Sequence, residues 1–85
     1  MKWTVYTATS VDRFLKKLDP RLAGRIVGKM EALYDGPFPF GYKKLAGGSN
    51  AYRIRVGDYR ILYEADQHSR IIRVYTIEHR GRAYR

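Results

Sequence analysis

The sequence predicts an α+β fold: an N-terminal strand, an antiparallel helical hairpin, then a three-stranded antiparallel meander, forming one sheet with the helices on one face. Three observations carry this reading. Apolar residues recur at helical spacing in two adjacent stretches between residues 9 and 34. Two alternating runs flank Gly57-Asp58 in "YRIRVGDYRILYEAD", residues 52–66. A third alternating run, "RIIRVYTIE", follows the polar turn at 66–69.

The elements follow in order. "KWTVYT", residues 2–7, puts Trp3 and Val5 on one face, as a strand does. In "TSVDRFLKKLD", Val11, Phe14, Leu15 and Leu18 fall at i, i+3, i+4 and i+7, and Thr9 with Asp12 gives a capping-box start. A second helix starts at Asp19-Pro20, since Asp accepts from orphan amides and Pro suits the first helical position. Leu22, Ile26, Met30 and Leu33 form its stripe, which ends near Tyr34 before Gly36-Pro37. "DGPFPFGYKKLAGGSN" reads as loop, with "YKKL" able to begin a strand. Phe38 and Phe40 are expected to pin this loop to the core, because exposed loop phenylalanines are costly.

Strands are expected at about 51–56, 59–65 and 70–78. A two-residue Gly57-Asp58 loop pairs Val56 with Tyr59, Arg55 with Arg60 and Arg53 with Leu62. A four-residue loop at 66–69 would pair Tyr63 with Ile72, Ile61 with Val74 and Tyr59 with Thr76. These residues, with Tyr52, Ile54 and Val56, make a core face. The opposite face would carry Arg53, Arg55, Arg60, Leu62 and Glu64, with Arg73 opposite Leu62 and Tyr75 opposite Arg60. Like charges at a directly opposed pair destabilise a sheet by up to about 1 kcal/mol. The Arg55–Arg60 pair therefore marks a place where an anion could sit between two guanidinium groups, the alternative being a merely solvated face.

Length and composition bound the function. Eighty-five residues make one domain, 1–85. The absence of cysteine excludes a disulfide framework, a thiol nucleophile and the common zinc sites. No His or carboxylate cluster has metal spacing, and neither a metal nor another cofactor is expected. No apolar run suits a membrane span or a signal peptide, so a cytoplasmic location is expected. Lys and Arg number 17 against 8 Asp and Glu, a net charge of +9, which points to a polyanion such as nucleic acid. Arginine holds phosphate bidentately and stacks on bases, so the arginines of the last third weigh most.

"KKLAGGSNAYRIRVGDYRILYEAD" followed by "IIRVYTIEHRGRAYR" resembles the RelE/ParE superfamily of type II toxins, over essentially the whole chain. The closing "EHRGRAYR" is more similar to the RelE branch. That resemblance implies a RelE-like toxin that cleaves messenger RNA in the ribosomal A site and inhibits translation. Its partners would be the ribosome, mRNA and a cognate RelB-like antitoxin, in an assembly such as a toxin–antitoxin heterotetramer. ParE-like members inhibit DNA gyrase instead, and a chain that has lost toxicity would remain an antitoxin-binding module. Carried over by motif, the functional basic residues fall on Arg53, Arg55, Arg60 and Arg80, and the late tyrosine on Tyr84. The best-known pattern has lysines where this chain has Arg53 and Arg55. An arginine stays protonated and cannot act as a general base.

Metal-independent RNA cleavage proceeds by attack of the ribose 2′-OH on phosphorus, giving a 2′,3′-cyclic phosphate. Arg55, Arg60 and Arg80 are the candidates for transition-state charge, roughly 3 to 4 kcal/mol for each well-placed donor. His79 is the titrating candidate beside Arg80, with a surface strand-end histidine as the alternative. Tyr84 suits stacking or orientation more than proton transfer, because phenol titrates near pH ~10. Glu64 and Glu78 are weaker candidates for the base. Arg53, Arg73, Tyr75, Lys43 and Lys44 are expected to bind RNA.

Overall fold

The computed structural model describes residues 2–47 and 50–79. The elements are β1 (Thr4–Thr7), α1 (Thr9–Lys17), α2 (Pro20–Glu31), a 3₁₀ turn (Ala32–Asp35), β2 (Tyr42–Lys44), β3 (Ala51–Val56), β4 (Tyr59–Asp66) and β5 (Ile71–His79). They form two helices and one five-stranded sheet of order β1-β5-β4-β3-β2. The sheet is mixed rather than purely antiparallel, because β1 pairs with β5 in parallel while the other neighbours run antiparallel.

Asp19 caps α2 as expected, its carboxylate accepting from the Arg21 amide at 3.0 Å, with Pro20 in the first turn. Helix α1 departs from expectation: its N-cap is Ala8, which supplies no side-chain acceptor, and Thr9 already lies inside the helix. Val11, Ile26, Met30 and Leu33 join Tyr52, Ile54, Val56, Ile61, Tyr63, Ala65, Ile72 and Val74 in one core. Both helices therefore cover the same face of the sheet, and among the described residues no helix covers the other.

The β3–β4 register is the expected one, Val56 opposite Tyr59, Arg55 opposite Arg60 and Arg53 opposite Leu62. Gly57 occupies the first central turn position at φ +58°, where a side chain would be strained. The β4–β5 register differs from expectation. Tyr63 pairs with Val74 and Leu62 with Thr76, so Tyr75 is left over as a bulge. Beyond it, Ile61 pairs with Ile77, Arg60 with Glu78 and Tyr59 with His79. Strict alternation through Tyr75 would have sent the Thr76 hydroxyl into the core and Ile77 into water; the extra residue exchanges them. Ile77 accordingly packs against the core.

The 36–41 loop also corrects the sequence reading. Tyr63, fully buried, donates its phenol to the Pro37 carbonyl at 2.5 Å. Phe38 packs against the rings of Tyr42 and Tyr52, at 5.0 and 5.3 Å between centroids, and so anchors the loop while staying partly exposed. Phe40 anchors nothing: it is 98% exposed.

Candidate nucleic-acid interface

Register orders the uncovered face into cross-strand rows. One row runs Lys43, Arg53, Leu62, Thr76; a second runs Arg55, Arg60, Glu78; a third runs Ala51, Glu64, Arg73, Tyr6. Leu62, at the centre, is only 8% exposed although no helix lies over it. Its register neighbours are Arg53 and Thr76 across the sheet and Arg60 and Glu64 along the strand, and long side chains of this kind cover apolar surface with their stems.

Among the described arginines, Arg60 is held by an ion pair and by burial. Its Nη2 donates to Glu78 Oε1 at 2.5 Å, with the two side chains 20% and 34% exposed. Its Nε is buried without a hydrogen-bond partner. The guanidinium is thus held from one side by a carboxylate, and Arg55 stands directly opposite on β3, with Cβ atoms about 5 Å apart for such a pair. The bulge residue Tyr75 lies on this face: partial burial, then the charges of Glu64 and Glu78, push its phenol above the ordinary range. Its phenol is therefore neutral at physiological pH, able to donate a hydrogen bond or stack. Arg73 lies over the Tyr6 ring at 5.7 Å, an exposed cation–π contact.

The structure thus brings Arg53, Arg55, Arg60, Arg73, Tyr75 and Lys43 onto one face. It separates two of the expected residues from them. Lys44 pairs with Tyr52 and so belongs to the helix-side face at the sheet edge. His79 pairs with Tyr59, also on the helix side, and its ring meets Tyr59 edge-on at 4.8 Å. There it borders an open cleft of about 700 Å³ with Phe14, Lys17, Leu18, Tyr59, Ile77 and Glu78, the last of which also reaches Arg60. The reason is the bulge: it fixes the parity of β5 so that Glu78, not His79, points toward Arg60. Glu78 was the weaker candidate in the sequence, and the uneven spacing of Ile72, Val74 and Ile77 was the signal that could have promoted it. Arg80 and Tyr84 lie outside the described residues. Among the described residues no group of three or more His, Cys, Asp or Glu is placed to hold a metal ion. Among them, too, no helix is long and apolar enough to cross a membrane.

Comparison with known proteins agrees with this architecture. Residues 1–84 match the family model of the ParE toxin of the type II toxin–antitoxin system parDE. A Methanocaldococcus jannaschii protein named as toxin RelE1 is 33% identical over 88 residues, covering 100% of this chain and 98% of the relative. Among solved structures, the archaeal RelE–RelB complex from Pyrococcus horikoshii OT3 superposes at TM-score 0.83 and 29% identity, over 96% of this chain and 99% of that one. The Mycobacterium tuberculosis toxin–antitoxin complex RelBE2 gives TM-score 0.77 at 28% identity, over 94% and 100%. A family model spanning nearly the whole chain, together with a relative that covers it end to end, makes this protein a member of the RelE/ParE superfamily of type II toxin–antitoxin toxins.

Proposed function

We propose that this toxin is a ribosome-dependent, metal-independent mRNA endonuclease that cuts in the A site and thereby inhibits translation. The observation that carries the reading is the Arg55–Arg60 pair, two directly opposed cations on the sheet face opposite the two helices. A phosphodiester between the two guanidinium groups relieves their repulsion, and the same groups stabilise the charge that builds on the pentacoordinate phosphorus. Glu78, paired to Arg60, is the carboxylate placed to accept the 2′-OH proton as the 2′ oxygen attacks phosphorus and the bond to the 5′ oxygen breaks. The 5′ oxygen takes its proton from outside this face, which fits dependence on the ribosome. Arg53, Arg73, Lys43 and Tyr75 hold the strand. Arg80 and Tyr84, carried over from the family pattern, add a phosphate contact and a stacking ring. The cognate partner is a RelB-like antitoxin, as in the complexes of the relatives. It is expected to cover the arginine face or displace the "RAYR" segment, and we assign the complex to the cytoplasm.

The test is to give the purified protein to ribosomes programmed with a defined mRNA, beside the same mRNA alone, and map new 5′ ends by primer extension. Cuts within the A-site codon only when ribosomes are present are expected. The matching family model favours one second reading, a ParE-like toxin that binds gyrase without hydrolysis. A protein that arrests growth yet produces no cuts in either tube would establish that reading instead.

A further inference from the structure

Phe40 is a large apolar side chain held almost wholly in water on a loop that is otherwise firmly built. Pro39 carbonyl accepts from the Tyr42 amide at 3.1 Å, closing a turn with Phe40 and Gly41 at its centre. Gly41 has φ +91°, the conformation that a type II turn requires at its second central position. The loop is braced from below by Phe38 against Tyr42 and Tyr52 and by the buried Tyr63–Pro37 hydrogen bond. The phenylalanine is therefore presented by design of the backbone rather than left over by a loose segment.

Its neighbourhood says what it meets. Residues 36–57 contain no Asp or Glu, while Lys43, Lys44, Arg53 and Arg55 all fall within that stretch. The carboxylate that borders the loop from beneath, Asp35, is paired with Lys2 at 3.8 Å. Tyr42, the first residue of β2, lies opposite Ile54, so the turn that precedes it lies at the end of the edge strand nearer Arg55. The loop thus stands about one strand spacing, roughly 5 Å, beyond Arg55 and about 10 Å from Arg60. At about 3.4 Å per stacked nucleotide, this is at most about three nucleotides of a strand whose phosphate is held at the arginine pair. An exposed ring beside a cationic row is the combination that binds single-stranded nucleic acid, through stacking on a base and charge on the backbone.

We infer that Phe40 is a base-stacking platform for the messenger strand, receiving an unpaired base within about three nucleotides of the phosphate at Arg55 and Arg60. The inference rests on the endonuclease reading above. It adds a specificity subsite at the sheet edge, one that reads a base while the arginine row holds the backbone.

The experiment is single-turnover cleavage on programmed ribosomes by the wild-type protein, Phe40→Trp and Phe40→Ala. The mRNAs carry either normal nucleotides or one abasic ribose at each position near the cut. Thermal melts of the variants are expected to match wild type, since Phe40 packs against nothing. Phe40→Ala is expected to slow cleavage roughly 5- to 150-fold, the range for loss of one base–aromatic stack, and Phe40→Trp to retain it. At one position the abasic ribose should slow the wild type by a similar factor and Phe40→Ala no further. Unimpaired cleavage by Phe40→Ala, or losses that multiply at every abasic position, would overturn the platform and leave the nuclease standing. Normal cleavage with weakened capture of the cognate antitoxin would reassign the ring to a protein interface. A wild type that cuts nothing removes the endonuclease reading and the platform together.

Discussion

At the scale of single residues, the proposed function and stability make opposite demands on Arg55. Replacing it with Ala removes a like charge directly opposite Arg60 and should raise stability by up to about 1 kcal/mol, read as a higher Tm. The same change should lower cleavage by about 10²- to 10³-fold. A variant that is neither more stable nor less active would remove the basis for treating the pair as a site. Glu78→Gln should lose about 10²- to 10⁴-fold in cleavage on programmed ribosomes if the carboxylate takes the 2′ proton. Retained cleavage would exclude Glu78 as the base. Tyr63 provides a structural counterpart. Tyr63→Phe leaves the Pro37 carbonyl without its donor, at a cost of about 1 to 3 kcal/mol. Burial, then the nearby Tyr52 and Tyr42, push the Tyr63 phenol well above its ordinary value, so the folded state favours its protonated form. Its contribution to stability is full below pH ~10, where an unfolded tyrosine is also neutral, and declines as pH rises beyond that. Alkaline unfolding curves should therefore be shallower above pH ~10 in Tyr63→Phe than in the wild type.

At the scale of elements, the decisive features are two irregularities in the sheet. The turn at Gly57 fixes the β3–β4 register, and Gly57→Ala should cost about 1 to 2 kcal/mol because φ there is +58°. For a domain of this size that is a fall of roughly 4 to 16 °C in Tm. This register was legible because a Gly-Asp pair between two alternating runs leaves one simple solution. The β4–β5 register was not, because the turn at 66–69 is closed by Asp66 accepting from the amides of His68 and Ser69, with Arg70 at φ +58°, and the bulge lies further along the strand. A bulge is a decision of packing, Ile77 in and Thr76 out, and only the uneven apolar spacing hints at it. The expected base therefore fell on His79 when geometry puts Glu78 beside Arg60. The loop phenylalanines show the same limit: composition makes both apolar, but only the folded loop distinguishes Phe38, which packs, from Phe40, which does not.

At the scale of the whole molecule, charge and layering act together. With both helices on one face, the other carries Lys43, Arg53, Arg55, Arg60 and Arg73 against Glu64 and Glu78, a cationic excess that forms part of the chain's net charge of +9. Binding to the ribosome should accordingly weaken as salt rises, and Lys43→Ala or Arg53→Ala should each lower the slope of log affinity against log salt by about 1. A slope unchanged by either substitution would place the contact elsewhere. The overall fold was the most legible part of the sequence, because helical and alternating periodicities are global and survive local irregularity.

The position of β5 carries a consequence for how the toxin comes into being. This strand is the last described one along the chain, yet it lies between β1 and β4, and Thr4 must wait for Ile71. Closing so long a loop is slow and has to await synthesis of the whole intervening chain. A nascent polypeptide whose residues 71–79 have not emerged has no partner for its first strand and no Glu78 against Arg60. The arginine face, with Glu78 against Arg60, is therefore assembled only once residues 71–79 have joined the sheet.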